Sequence, residues 1–206
     1  MPTPSTNAGS GTSSIPRYCN RPASVSFIAP ALDLAPDTVS IRIRKEAPTD
    51  VAAIEDVTVA AFLNAAHTDH TEQFIVSALR NSGRLSVSLV ADDNGAVIGH
   101  VAVSPVTVSG GAVGWYGLGP ISVAPEHQGR GIGTQLMEQA LAELHKLGAS
   151  GCVVLGDPPY YSRFGFKAEP SLVLPDVPPE YFQAISFGGP LPSGIVSYHE
   201  SFAAQG

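Results

Sequence analysis

The chain has 206 residues, of which 44% are hydrophobic and 14% are charged. That is enough apolar material for one core and too little length to favour two domains. The formal net charge of -7 argues against nucleic acid or an anionic membrane as a partner, because both attract clustered Lys and Arg. The two cysteines, Cys19 and Cys152, form neither a disulfide framework nor a metal-ligand pair, so no metal site is expected.

Residues 1–40 are rich in Ser, Thr, Pro and Ala and show no helical or strand period. Such a segment cannot bury enough apolar surface to offset the entropy lost when it is ordered. We therefore predict a flexible tail over 1–40 and one domain over 41–206. The start of the chain lacks a signal-peptide pattern, and no run of about 18 apolar residues occurs. A cytoplasmic protein without a membrane partner is expected.

Two helices are predicted to precede most of the sheet. The alternation from Ile41 to Arg44 is typical of a half-buried strand. Pro48-Thr49-Asp50 then predicts a helix start, and apolar residues recur at helical spacing from Val51 to Phe62. A second amphipathic segment begins at Glu72 and is expected to stop at Asn81-Ser82-Gly83.

Three strands are predicted next. Residues 85–91 and 96–105 form β-rich runs, and Asn94-Gly95 between them supplies the positive φ angles of a tight hairpin. Residues 115–123 form the third strand, which contains Gly119-Pro120. A proline removes one donor from a strand ladder, so a bulge or local splay is expected there.

A glycine-rich loop, residues 128–133, lies between the third strand and the clearest amphipathic helix of the chain. Ile132, Leu136, Ala140 and Leu144 form one apolar stripe of that helix, which is flanked by Met137, Leu141 and Leu147 and stopped by Gly148. Glycines let backbone N–H groups turn inward, and a helix N-terminus carries about half a positive charge. The sequence favours an anionic pyrophosphate as the occupant of this loop.

The loop also has other interpretations. Taken by itself, it is equally consistent with an ordinary β–α turn in which the glycines only permit tight packing. A dinucleotide-binding fingerprint fits less well because antiparallel strands precede the loop, and a P-loop fails because no Gly-Lys-Ser/Thr follows.

The strand predicted at 152–155 would complete a right-handed strand–helix–strand crossover, with Cys152 packed in the core. Asp157 is predicted to cap a short helix that starts at Pro158 and ends at Tyr161. Further strands are expected near 184–187 and 195–198. The Pro-rich segments after Glu169 are expected to shape the acceptor side or the contact of a possible homodimer.

The run from Ile121 to Gly133 resembles the coenzyme motif of the GNAT superfamily of N-acetyltransferases, V-x-P-x-x-Q-G-x-G-x-G/A. Residues 161–166 match the second signature of the family, Y-x-x-x-G-F. Further short matches are similar to the YhbS-like branch of predicted bacterial acetyltransferases. They lie at 118–120, at 156–158 together with Tyr160-Tyr161, and at 178–182.

The resemblance implies an α/β (α+β) fold with a mixed, mostly antiparallel central sheet, splayed central strands and flanking helices. It also implies acetyl-CoA as the cofactor and direct transfer of the acetyl group to a primary amine of a small molecule or protein. An acyl-CoA-binding sensor without transferase activity is the alternative.

The resemblance also assigns roles to residues. It implies that the backbone of Ile121, Ser122 and Val123 binds the pantetheine arm and the acetyl carbonyl. It implies that the pyrophosphate binds to Gln128, Gly129, Arg130, Gly131, Ile132, Gly133 and Thr134. Tyr161 occupies the position of the acid that protonates the departing thiolate, although simple packing against the coenzyme is the alternative.

A general base is harder to choose from the sequence. His67, Asp69, His70 and Glu72 lie between the two early helices, where the family forms its acceptor wall. A solvated polar turn, or a water that carries the proton to bulk solvent, explains the same pattern. His127 is expected at the surface, and His100 is expected as a core or strand-pairing residue.

Overall fold

The computed structural model describes residues 41–63 and 70–205. The predicted tail and two of the base candidates, His67 and Asp69, lie outside the described residues. The boundary predicted between the tail and the domain therefore stays a prediction.

The helices occur where their periodicity predicted them. In chain order they are α1 (Val51–Phe62), α2 (Glu72–Asn81), α3 (Ile132–Lys146) and the single turn α4 (Pro158–Tyr161). A 3-10 turn over Pro48–Asp50 precedes α1, so the α-helix itself begins three residues after the predicted start.

Ten strands lie among the described residues. They are β1 (Arg42–Lys45), β2 (Val87–Asp93), β3 (Ala96–Pro105), β4 (Thr107–Val108), β5 (Trp115–Val123), β6 (Gly151–Leu155), β7 (Lys167–Ala168), β8 (Leu172–Val173), β9 (Phe182–Ser186) and β10 (Gly194–Ser197). The central sheet has the order β1-β2-β3-β5-β6-β9-β7, and β4-β10-β8 form a small second sheet. Within the central sheet only β5 and β6 pair in parallel. The mixed, mostly antiparallel sheet is the predicted one.

The hairpin between β2 and β3 is confirmed. Asn94 and Gly95 have φ angles of 52° and 93°, which are the left-handed values that a two-residue hairpin turn requires. The turn places β2 against β3 over most of their length, and these strands carry the centre of the sheet.

Two layers of helices cover the sheet. Successive side chains of a strand point to opposite faces. Val101 packs in the cluster that contains Leu136 of α3, whereas its neighbour Ala102 packs with Ile54 of α1 and Val76 of α2. The helix α3 therefore covers one face, and α1 and α2 cover the other.

The apolar stripe of α3 is buried as predicted, with Leu136 and Leu144 fully inaccessible. Gly148 ends the helix with a φ of 70°, and the N–H of Ala149 donates to the carbonyl of Leu144 over 3.1 Å. Leu147 was expected beside the stripe but is 53% exposed. It is the C-cap residue, where the chain leaves the helical path.

An ion pair joins β1 to the start of α1. Asp50 accepts hydrogen bonds from Arg44 Nη1 at 2.6 Å and from the N–H of Ala47 at 2.7 Å. The hydrogen bond from Arg44 is the main cause that lowers the pKa of Asp50, against the opposing effect of burial. The carboxylate therefore contributes stability above the pKa of an unfolded Asp, and this contribution is lost as pH falls through the lower folded-state value.

Asp50→Asn is expected to lower the free energy of unfolding at pH 7 by about 1–3 kcal/mol, because a charged hydrogen-bond acceptor is lost. The difference from wild type should shrink as pH falls from 7 to about 2, because the carboxylate becomes protonated as pH passes through its lowered pKa. Denaturant unfolding at the two pH values checks this. A difference that is equally large in acid would contradict the role of the carboxylate.

Candidate active site

The pairing of β5 with β6 stops halfway along β5. It runs from Trp115 opposite Gly151 to Leu118 opposite Val154, whereas pairing of β5 with β3 continues to Val123. The register with β3 shifts between Val101 and Val103, so the bulge predicted at Gly119-Pro120 is confirmed. On the side of β6, residues 119–123 have no strand partner among the described residues.

The loop 128–133 is open rather than packed. Gly129 and Gly131 have φ angles of 72° and 79°, and a Cβ added to either glycine would meet no atom within 4 Å. In the described part of the chain, the N–H groups of residues 129–134 donate to no backbone carbonyl. Successive free N–H groups with left-handed glycines form a concave site for anions, and the N-terminus of α3 adds its dipole.

Three side chains hold this loop in place. Gln128 Nε2 donates to the carbonyl of Val123 at 3.0 Å, which fastens the loop to the end of β5. Ile132 is fully buried at the start of α3. Arg130 Nη1 donates to His127 Nδ1 at 2.9 Å, so a cation lies beside the exposed main chain. His127, expected at the surface, is only partly exposed.

Tyr160 links the loop to the predicted acid, Tyr161. The hydroxyl of Tyr160 lies 2.8 Å from the point that a Cβ on Gly133 would occupy. The rings of Tyr160 and Tyr161 meet edge to face, with centroids 4.9 Å apart. In the sequence, Tyr160 was part of the resemblance to the YhbS-like branch, but no role was predicted for it.

The turn α4 positions Tyr161 after the end of β6. The ring of Tyr161 packs so closely against Gly156 that a Cβ added there would overlap Cε2 of the ring. The carbonyl of Asp157 accepts from the N–H groups of Tyr160 and Tyr161. Asp157 is the N-cap residue of α4, as predicted, although its side chain makes no capping hydrogen bond. The backbone carbonyl closes this single turn in its place.

The phenol of Tyr161 is protonated at neutral pH. Only 8% of the residue is exposed. Burial is the main cause that raises its pKa well above the ordinary value, and the nearby Tyr160, Asp157 and Cys152 act in the same direction. Within 41–63 and 70–205, the hydroxyl donates no hydrogen bond to protein, so its proton stays available to a group that binds beside it.

Cys152 lies in the core as expected. It is fully buried, and burial raises the pKa of its thiol well above the ordinary value. A thiol in this state is a poor nucleophile because the reactive thiolate is suppressed. We therefore exclude Cys152 from the reaction.

Only two of the four predicted base candidates lie in the described residues. His70 is exposed with a φ of 58°, and its carbonyl accepts from Gln73 Nε2 at 3.1 Å. Glu72 is the first residue of α2. Within the described ranges, no cluster of His, Cys, Asp and Glu could hold a metal ion. No helix there combines the length and apolarity needed to span a bilayer.

Comparisons with known proteins agree with this geometry. A family model described as the acetyltransferase (GNAT) domain matches residues 84–168. The chain is 41% identical over 126 residues to the uncharacterized N-acetyltransferase YhbS of Escherichia coli (strain K12). The aligned region covers 61% of this chain and 72% of that protein.

Two crystal structures are also similar. A GNAT family acetyltransferase from Brucella melitensis in complex with acetyl-CoA shares 49% identity, with a TM-score of 0.72 over 80% of this chain and 99% of that one. YhbS from Escherichia coli in complex with CoA shares 34% identity, with a TM-score of 0.71 over 82% of this chain and 94% of that one. The predicted resemblance to the YhbS-like branch is confirmed. The chain belongs to the GNAT family of N-acetyltransferases.

Proposed function

We propose that this protein transfers the acetyl group of acetyl-CoA directly to a primary amine of a small molecule or protein. The observation that carries the proposal is the open row of main-chain N–H groups at 129–134, beside the unpaired edge of β5. We propose that a single domain over 41–206 carries this function.

The cradle suits the pyrophosphate of the coenzyme. Left-handed Gly129 and Gly131 bring the backbone close to an anion without a Cβ in the way. Arg130 adds a positive charge at the rim. The two similar crystal structures contain acetyl-CoA and CoA, which supports the same ligand here.

The strand edge suits the rest of the coenzyme. Residues 119–123 offer main-chain donors and acceptors on the side where β6 has diverged. Ile121, Ser122 and Val123 would bind the pantetheine arm and polarise the acetyl carbonyl through these groups. Bound acetyl-CoA would supply the activated acyl group as a thioester.

Tyr161 is the proposed proton donor. Tyr161 lies after β6, its ring is buried, and no group in the described chain accepts its hydroxyl proton. These features suit it to protonate a thiolate that forms in the same apolar surroundings. The raised pKa keeps the phenol protonated before the reaction. The contact of Tyr160 with the start of α3 ties this proton donor to the phosphate cradle.

Release of free thiol tests the proposal. Acetyl-CoA is mixed with the protein and, one at a time, with a panel of polyamines, aminoglycosides, amino acids and lysine peptides. We expect thiol release above the amine-free control for at least one class, together with an acetylated amine by mass spectrometry. Tight binding of acetyl-CoA without thiol release from any amine would favour the acyl-CoA sensor instead.

A further inference from the structure

A buried histidine lies next to the strand segment that the proposed function assigns to acetyl-CoA. His100 of β3 is fully inaccessible and stands directly opposite Ser122 of β5. The hydroxyl of Ser122 is 3.3 Å from that of Thr58 in α1. Directly opposed residues in an antiparallel pair have Cβ atoms about 5 Å apart, so the imidazole and the two hydroxyls belong to one layer.

A chain of hydrogen bonds runs from this imidazole towards the surface. His100 Nε2 is 2.8 Å from Ser88 Oγ, and Ser88 Oγ donates to Glu46 Oε2. Arg80 of α2 binds both carboxylate oxygens of Glu46, at 2.9 and 2.8 Å. We call these linked side chains, Glu46, Ser88 and His100, the relay. Its outer end is partly exposed, since the side chain of Glu46 is 19% accessible.

The positions of the protons follow from the hydrogen bonds. Burial alone would raise the pKa of Glu46, but the hydrogen bonds from Arg80 and Ser88 outweigh it, and the net pKa is lowered. The carboxylate is thus ionised and can only accept, so the single proton of Ser88 points to Glu46. Ser88 must then accept a proton from His100 Nε2, which makes Nδ1 the unprotonated nitrogen of the ring.

The neutral form of His100 agrees with its surroundings. Burial is the main cause that lowers the pKa of His100 to about 4, and Arg80 lowers it further, while Glu46 acts in the opposite direction. These are the charged groups that face the ring. The α1 side chains in this layer, Ile54 and Thr58, carry no charge.

The unprotonated Nδ1 is buried and has no hydrogen-bond partner among the described residues. A buried acceptor without a partner is unfavourable because it has lost its hydrogen bond to water, so such atoms are normally satisfied by an ordered water. Thr58 Oγ1 donates its proton to the carbonyl of Ile54 at 2.7 Å, so Ser122 is the donor in its contact with Thr58. Both hydroxyl oxygens can therefore only accept, and they would take the second proton of a water that donates to Nδ1.

We propose that a water held between His100 Nδ1 and the hydroxyls of Ser122 and Thr58 carries the proton of the acceptor amine to His100, with Glu46 stabilising the imidazolium through Ser88. The inference rests on the proposed function. His100 acts through the water and is therefore a positioning residue rather than a catalytic one.

The protons balance over one turnover. The attacking nitrogen loses one proton through the water to Nδ1 when the new N–C bond forms. The C–S bond then breaks, and Tyr161 gives one proton to the thiolate. The imidazolium returns its proton to solvent, and Tyr161 recovers a proton from solvent, so both residues end in their starting states.

Ser88→Ala interrupts the relay with a small change of volume. With the amine selected by thiol release, we expect kcat at pH 7 to fall about 10- to 100-fold while KM for acetyl-CoA stays near wild type. The deficit should shrink above about pH 9, where hydroxide can take the amine proton directly. Ser88→Thr keeps the hydroxyl and should restore most of the activity.

Ser104→Ala is the matched control. Ser104 lies on the same strand as His100, is equally buried, and its hydroxyl also has no partner in the described chain. Its removal should leave kcat near wild type at every pH. A Ser88→Ala deficit that is constant with pH, or that Ser104→Ala reproduces, would overturn the relay.

Nitrogen-15 NMR of the imidazoles tests the relay without turnover. The His100 signals, identified by their loss in His100→Gln, should show a protonated Nε2 and an unprotonated Nδ1 at pH 7. The opposite tautomer, or an imidazolium, would overturn the inference even in an active enzyme. Wild-type protein that releases no thiol with any amine would instead overturn the proposed function, and the kinetic role of the relay with it.

Discussion

Tyr161→Phe is expected to lower kcat by about 10- to 1000-fold while the Kd for acetyl-CoA stays near the wild-type value. The substitution removes one hydroxyl and keeps the ring that packs against Gly156 and Phe166. The expected loss therefore reports on proton transfer to the thiolate. Steady-state kinetics gives kcat, and isothermal titration calorimetry gives the Kd.

Tyr160→Phe is the appropriate comparison for this variant. Tyr160 lies in the same helical turn, and its hydroxyl is next to Gly133. We expect its kcat to fall much less than that of Tyr161→Phe, because the hydroxyl of Tyr160 contacts the loop and donates no proton to the thiolate in the proposed reaction. Unchanged turnover in Tyr161→Phe would remove Tyr161 from the reaction and leave it a packing role.

Gly131→Val is expected to weaken CoA binding by about 10- to 100-fold. A left-handed backbone conformation costs an L-residue about 1–2 kcal/mol, and β-branched residues tolerate this conformation less well than most other residues. The added methyl groups would also stand where the main-chain N–H groups meet the pyrophosphate. Calorimetric titration with CoA measures the change.

Gly148→Val is the control that separates the two effects of Gly131→Val, which are backbone strain and obstruction of the pyrophosphate site. Gly148 has a φ of 70°, and a Cβ there would also meet no atom within 4 Å. It lies at the opposite end of α3, so it carries the same strain and no role in anion binding. We expect both variants to lose similar thermal stability, but only Gly131→Val to lose affinity. Normal CoA affinity in Gly131→Val would contradict the cradle assignment.

Local patterns explain why much of the fold was predictable. Asn94-Gly95 specifies its turn through two positive φ angles, and the stripe of α3 repeats at helical spacing. By contrast, β4, β7 and β8 have two residues each, which is too short for any period to show. Their pairing depends on partners far along the chain, as with Val108 opposite Val196.

The site was predicted unevenly for the same reason. The loop at 128–133 and Tyr161 lie in contiguous motifs, so the resemblance located them. The contact of Tyr160 with Gly133 was not visible in the sequence. His100 was predicted only as a core or pairing residue, because nothing near it in the sequence indicated a hydrogen-bonded carboxylate. Asp157 was correctly predicted as the N-cap residue of α4, but its side chain makes no capping hydrogen bond.

By itself, the sequence determined the helices, the central hairpin, the glycine loop and the family, since each depends on residues that are close together in the chain. Only the tertiary structure decided where β5 parts from β6 and which buried groups meet. Thr58 and Ser122 are 64 positions apart, and Glu46 and Ser88 are 42 apart. Contacts over such separations depend on how the whole sheet and its helices pack, which no local pattern encodes.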